Sequence, residues 1–144
     1  MSRRTETVLR IGDWTALRDD ASPVRLAVFV DEQRFPVDEE FDGHDAGSLH
    51  AVAYDAGRPV ATGRLLPDAR IGRMAVLPPY RGAGVGGRLL ERLVRCAAER
   101  GEPEVTLSSQ VHAIGFYEQH GFVPEGPVYD DTGVPHRTMR RRLR

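Results

Sequence analysis

Four glycines in seven residues, Arg81-Gly82-Ala83-Gly84-Val85-Gly86-Gly87, constrain the fold of this chain more than any other segment. The run follows an apolar stretch, Met74-Ala75-Val76-Leu77, that is typical of a central strand buried on both faces. After the run, apolar residues recur at helical spacing up to about Arg100. Glycine lets successive backbone N–H groups turn toward one point, and a helix N-terminus adds partial positive charge. The sequence therefore predicts an anion-binding loop, suited to a pyrophosphate, between a strand and a helix.

The rest of the chain alternates between strand and helix patterns without repeats or long linkers. Asp13 and Ser22-Pro23 are helix-start signals, so residues 13–33 are predicted as one kinked helix or two short ones. A loop is expected at 34–48 and a further helix at 111–120. Strands are predicted at 5–11, 49–55, 59–66, 70–77, 104–108, 122–129 and 134–143. This order indicates one α/β domain over residues 1–144, with a mixed sheet whose front half is antiparallel.

Two motifs overlap in the glycine run. Gly82, Gly84 and Gly87 match G-x-G-x-x-G, the dinucleotide-binding fingerprint. That fingerprint expects an acidic residue at the end of the next strand, where this chain has Leu107-Ser108-Ser109. Arg81, Gly84 and Gly86 match a different signature, R/Q-x-x-G-x-G/A, and here the surroundings agree better. A dinucleotide-binding fragment is therefore the weaker alternative.

The second match resembles the GNAT acetyltransferase superfamily, which binds the pyrophosphate of acetyl-CoA with this loop. Downstream, Ala113-Ile114-Gly115-Phe116-Tyr117 followed by Gly121-Phe122 is similar to a second GNAT motif, in the right order along the chain. The resemblance implies a GNAT-like fold with splayed central strands and acetyl-CoA as co-substrate. It also implies a set of coenzyme-binding positions at Met74, Ala75, Val76, Arg81, Gly82, Ala83, Gly84, Val85, Gly86, Gly87 and Gln110.

Amine acetylation requires the acceptor to lose a proton and the leaving thiolate to gain one. By resemblance, Tyr117 is the acid that protonates the thiolate. The sequence does not single out a base, because serine is a poor base and Ser108 stands where some GNAT enzymes have a glutamate. The base stays open between a water chain and several side chains: Glu32, Glu40, Asp42, His44, Asp45, His50 and His136.

The segment 28–33, the acidic stretch 38–45 and Pro135-His136 resemble small bacterial ElaA-like members of the superfamily. Five acids in residues 38–45 suggest a rim that attracts a cationic amine. We expect the acceptor to be a small-molecule or peptide amine, and the family makes a homodimer an option. A non-catalytic acyl-CoA sensor that kept the fold is the second alternative.

Composition excludes several other classes of function. All twenty basic residues are arginine, so no lysine is present to form a P-loop or a Schiff base. The single cysteine, Cys96, and histidines without ligand spacing predict no metal site and a reducing, cytoplasmic location. A net charge of −1 gives no sign of nucleic-acid binding, and no apolar run is long enough for a membrane span.

Overall fold

The computed structural model describes residues 7–144, which form two antiparallel sheets and the helices that cover them. The first sheet has the order β1-β2-β3-β4 and the second the order β5-β7-β6. The strands of the first sheet are β1 (Val8–Gly12), β2 (Leu49–Asp55), β3 (Arg58–Leu65) and β4 (Ile71–Val76). Those of the second are β5 (Glu104–Gln110), β6 (Val123–Asp131) and β7 (Val134–Arg142). The predicted antiparallel front half is confirmed; residues 5 and 6 of the predicted first strand lie outside the described range.

The two sheets meet at a single parallel bridge, Arg70 with Thr106, at the start of β4 and early in β5. The Thr106 amide donates a hydrogen bond of 3.2 Å to the Ala69 carbonyl there. Within residues 7–144 no further ladder joins β4 to β5, so the two strands diverge toward their C-terminal ends. The expected splay of the central strands is therefore present, and it leaves one edge of β4 open.

The first helical segment is continuous. Helix α1 (Trp14–Arg25) begins at Asp13, whose carboxylate accepts a hydrogen bond from the Ala16 amide. It runs without a break into a π-helical segment, Leu26–Glu32, in which the Gln33 amide donates to the Val28 carbonyl five residues earlier. The predicted kinked helix is thus one helix that widens after Pro23.

The loop predicted at 34–48 contains two short helices, α2 (Val37–Glu40) and a 3₁₀ turn at Asp45–Gly47. Arginine side chains from α1, β3 and β4 hold this segment against the body of the protein. The polar sequence of residues 34–48 does not predict these short helices, because the arginines that hold the segment in place are distant in the chain.

The main core lies under helix α3 (Val85–Glu99), which begins within the glycine run and includes Gly86 and Gly87. Its apolar stripe packs on β2 and β3 and on the inner face of the second sheet. Gly101, at φ +90°, ends this helix, and Gly121, at φ +82°, follows α4 (Ile114–Glu118). No helix within residues 7–144 is long and apolar enough to cross a membrane.

Candidate active site

The open edge of β4 lies beside a cavity of about 770 Å³. Met74 lines the cavity, whereas the Ala75 side chain is buried against Val24 and Val28. The opposite wall comes from β5 and α4, through Ser108, Gln110 and Tyr117 among others. The splay thus places an unpaired strand edge in contact with a polar cavity, an arrangement in which an extended ligand can add to the sheet.

Two of the four loop glycines are needed for the backbone itself. Gly82 and Gly84 have φ values of +81° and +84°, in the left-handed region that side chains disfavour. A Cβ at either position would meet open space, so packing does not explain these glycines. Gly84 is the N-cap of α3 and supplies no side chain to bond the first-turn amides. The first intrahelical bond is donated by the Arg88 amide, and the preceding amides are left for an anion.

The other two glycines of the loop allow close packing. A Cβ at Gly87 would lie 2.9 Å from His120 Nε2, and one at Gly86 would lie 3.4 Å from a Val76 methyl group. Both residues therefore let α3 approach its neighbours. The third glycine of the apparent dinucleotide fingerprint, Gly87, is explained by this contact with His120, just after α4.

Arg81 ties the loop to two other parts of the site. Its Nε donates to the Val76 carbonyl at 2.9 Å, which fixes the loop to the end of β4. Its terminal nitrogens donate to both carboxylate oxygens of Glu32, at 2.8 and 2.6 Å. The hydrogen bonds from Arg81 lower the pKa of Glu32, so this candidate base is held as a carboxylate by a cation. Both side chains are partly exposed, which limits the strength of the pair.

Tyr117 lies in the cavity wall, where its ring packs edge-on against Phe116 and Phe122. Burial raises the pKa of the Tyr117 phenol to about 12, so the hydroxyl is protonated at neutral pH. No other side chain or backbone group within residues 7–144 hydrogen-bonds to this hydroxyl. The proton of Tyr117 is therefore available to a ligand in the cavity.

Gln110 lies at the end of β5, in the same cavity wall. Its amide nitrogen donates to Gln33 Oε1 at 2.9 Å, across the mouth of the splay. Its amide oxygen lies 2.7 Å from His112 Nε2. The side chain thus links the π-helical segment to the second sheet.

The acidic segment is paired with arginines. Arg25, only 1% exposed, donates to Glu40 at 2.7 Å and to Asp45 at 2.7 Å. Arg64 donates to Asp42 at 2.7 Å and to Asp45 at 3.0 Å. Arg73 adds contacts to Glu40 and to Asp42, at 3.2 and 3.1 Å. Three of the five acids in residues 38–45 are therefore neutralised, so the rim is much less negative than its sequence suggests.

Burial and pairing act in opposite directions on these carboxylates. Burial raises the pKa of Glu40, against the pull of Arg73 and Arg25. Burial also raises the pKa of Asp45, but Arg25 and Arg64 outweigh this effect, so the pKa of Asp45 lies below its ordinary value. The same balance lowers the pKa of Asp42, which Arg64 holds. These acids belong to a structural ion-pair cluster, which the sequence analysis did not find. The sequence does carry one sign of this cluster: two strands that are otherwise largely apolar each contain an arginine, Arg64 and Arg73.

His50 lies outside the cavity, beneath Trp14, with Nε2 donating to the Asp45 carbonyl at 2.9 Å. The ring is 1% exposed, and burial lowers its pKa from 6.5. In the unfolded chain this histidine binds a proton near pH 6.5, whereas in the folded chain it binds one only at lower pH. Protonation therefore favours the unfolded state, and the free energy of unfolding falls as pH falls below that value.

We expect the free energy of unfolding to drop between pH 7 and pH 5, and the drop to be smaller in His50→Gln. Urea denaturation at several pH values measures it, with His44→Gln, an exposed histidine, as the matched control. An equal slope for His50→Gln and the wild-type protein would contradict this prediction.

The open edge of β4 and the protonated phenol of Tyr117 share one cavity, and the uncapped start of α3 follows β4 in the chain. Residues 17–143 match the family model described as an acetyltransferase (GNAT) domain. The chain is 39% identical over 126 residues to the uncharacterized N-acetyltransferase YjcF of Bacillus subtilis, covering 85% of this chain and 90% of YjcF.

Solved structures agree. An acyl-CoA N-acyltransferase from Pseudomonas aeruginosa superposes with a TM-score of 0.85 at 31% identity, covering 94% of this chain and 99% of that one. Escherichia coli ElaA superposes with a TM-score of 0.83 at 30% identity, over 94% and 99% of the two chains. This chain belongs to the GNAT acetyltransferase family, as its motifs predicted, and it is an acyltransferase.

Proposed function

We propose that the protein transfers an acetyl group from acetyl-CoA directly to an amine, without a covalent enzyme intermediate. The proposal rests on two features together: the open edge of β4 and the uncapped start of α3. The glycine loop supplies backbone donors for the pyrophosphate, and Met74 to Val76 supply the strand edge along which the pantetheine arm can pair. The residues present fit the coenzyme, because the space beside Gly82 and Gly84 is open and no side chain caps the first-turn amides of α3.

In this reaction the amine attacks the thioester carbon, the C–N bond forms and the C–S bond breaks. Holding both reactants in one cavity supplies much of the rate through proximity. The Tyr117 hydroxyl gives its proton to the departing thiolate sulfur. The acceptor enters on the side of the cavity formed by residues 38–44 and the turn between β6 and β7. We propose a small-molecule or peptide amine as acceptor and a cytoplasmic location.

Thiol release tests this function directly. Purified protein is incubated with acetyl-CoA and, in separate reactions, a polyamine, free amino acids, a peptide with a free N-terminus and a lysine peptide. Acetylated product with equimolar CoA thiol supports the proposal. Binding of acetyl-CoA without release from any amine would instead favour a non-catalytic acyl-CoA sensor.

Replacing Tyr117 with phenylalanine removes the proposed acid while keeping the ring that packs on Phe116 and Phe122. We expect kcat to fall about 100-fold or more, the usual contribution of a positioned acid. The Kd for acetyl-CoA should stay within about two-fold, because no binding contact of the phenol is lost. Tyr80→Phe is the matched control, since the Tyr80 hydroxyl bonds Asp55 outside this cavity. An unchanged kcat would remove Tyr117 from the mechanism.

A further inference from the structure

Most candidate bases are occupied or misplaced. Glu32 is bound to Arg81, and the carboxylates of Glu40, Asp42 and Asp45 are bound to arginines of the ion-pair cluster. His50 does not line the cavity. The pKa values of Glu32, Asp42 and Asp45 are lowered, so these three carboxylates are weak proton acceptors. Glu40 is only 4% exposed, and its Oε2 is already held by Arg25. Two candidates line the cavity without such a partner: His44, which is exposed to water, and His136, which is only 8% exposed.

His136 lies on β7, between Gln110 of β5 and Tyr129 of β6 in the strand register. Its Nδ1 lies 2.8 Å from the Val134 carbonyl oxygen. A carbonyl oxygen only accepts, so Nδ1 carries the hydrogen. In the neutral ring Nε2 then bears the lone pair. Within residues 7–144 no group hydrogen-bonds to Nε2.

The protein holds this ring in place on two further sides. His136 stacks on the Tyr129 ring, with centroids 6.1 Å apart and planes 26° apart. The Tyr129 hydroxyl is in turn hydrogen-bonded to the Ser108 hydroxyl on β5. The residue is only 8% exposed, although it contributes to the wall of the cavity. A fixed tautomer in a fixed orientation is what proton transfer to a defined atom requires.

The charges around the cavity leave the imidazole without an ion-pair partner. From the neighbouring elements, the titratable side chains in the cavity wall are His112 after β5, Tyr117 on α4 and Asp131 at the end of β6. Arg64, Arg70 and Arg73 face the cavity from the first sheet, each paired with an acid. Asp38, Glu39 and His44 line its opposite side and are exposed to water. No ion pair to His136 is present in the described part of the chain.

We propose that His136 is the general base of the transfer, an assignment that rests on the function proposed above. Nε2 takes the proton that the acceptor nitrogen loses as the C–N bond forms. Tyr117 gives its proton to the thiolate as the C–S bond breaks. The proton on His136 then returns to Tyr117 through solvent, so that the amide and CoA thiol are the only products. The base on β7 and the acid on α4 thus line one cavity.

His136→Asn tests the assignment, because the asparagine amide can still donate to the Val134 carbonyl but has no atom equivalent to Nε2. With the amine that gives fastest thiol release, we expect kcat to fall about 100-fold or more and KM for acetyl-CoA to stay within about two-fold. The acidic limb that a general base gives to the pH profile of kcat/KM should be present in the wild-type protein and absent from this variant. His120→Asn, the same change at a histidine outside the cavity, should leave kcat and the pH profile unchanged.

The outcomes separate the two proposals. No thiol release by the wild-type protein with any amine overturns the transfer function and the base with it. Release by the wild-type protein together with an unchanged kcat and pH profile in His136→Asn overturns only the base. Nitrogen-15 NMR of the wild-type ring keeps the test decisive if the variant does not fold. A neutral ring protonated on Nδ1 supports the assignment, and protonation on Nε2 overturns it.

Discussion

Gly84→Asp is expected to abolish binding of acetyl-CoA, with Kd rising at least about 100-fold, or roughly 2.7 kcal/mol of binding free energy. A side chain at this N-cap would occupy the open space above the helix start, and its carboxylate would accept hydrogen bonds from the amides that an incoming phosphate needs. It would also place a negative charge next to an anionic ligand. Isothermal titration calorimetry with acetyl-CoA measures the loss.

The chain offers a close control for the backbone strain of this change. Gly57, in the turn between β2 and β3, has φ +82° and open space around its Cα, as Gly84 does at φ +84°. Aspartate in the left-handed region costs each variant up to about 1–2 kcal/mol of folding free energy. Gly57→Asp should keep the wild-type Kd. A wild-type Kd for Gly84→Asp would show that the phosphates bind elsewhere.

Replacing Arg25 with methionine is expected to destabilise the folded chain by about 3–5 kcal/mol. The substitution leaves Glu40 and Asp45, which are 4% and 5% exposed, without their shared cation. For a chain of this length, that corresponds to a fall in Tm of roughly 10–15 °C. Thermal unfolding followed by circular dichroism measures it.

Arg70→Met is the control for this loss of charge, because the Arg70–Asp68 pair is more than half exposed on both sides. Surface pairs contribute about 0–1 kcal/mol, so the Tm of this variant should stay within a few degrees of the wild-type value. Equal stabilities for the two variants would mean that the cluster does not hold the 37–47 segment.

Local patterns predicted the parts of the fold that depend on local chemistry. The strand–loop–helix unit around Gly84, the helix end at Gly101 and the hairpin at residues 49–66 all have their determinants within a few residues. The ion-pair cluster was missed because Arg25 meets Glu40 and Asp45 only after the chain has folded, and composition treats all three as surface charges. The sequence places Gly87 in the phosphate loop. Its absence of a side chain is instead explained by packing against His120, a residue 33 positions further along the chain.

The same limit applied to the candidate base. Sequence alone gave His136 no advantage over six other side chains, since its ring orientation depends on Val134 and on the neighbouring strand. The acidic segment was interpreted as a rim that attracts cationic amines, because the sequence does not show that its acids form ion pairs with the distant Arg64 and Arg73. Spatial partners, which no local pattern encodes, decide the role of each of these groups.

Because a single bridge, Arg70 with Thr106, joins the two sheets, local opening between β4 and β5 depends on what fills the space beyond it. A molecule that fills the wedge beyond it acts as a missing strand and clamps both halves, so folded and ligand-bound states are favoured together. If the coenzyme binds there as proposed, the coenzyme-free protein should open more often between β4 and β5 and be cleaved faster by proteases than the coenzyme-bound protein.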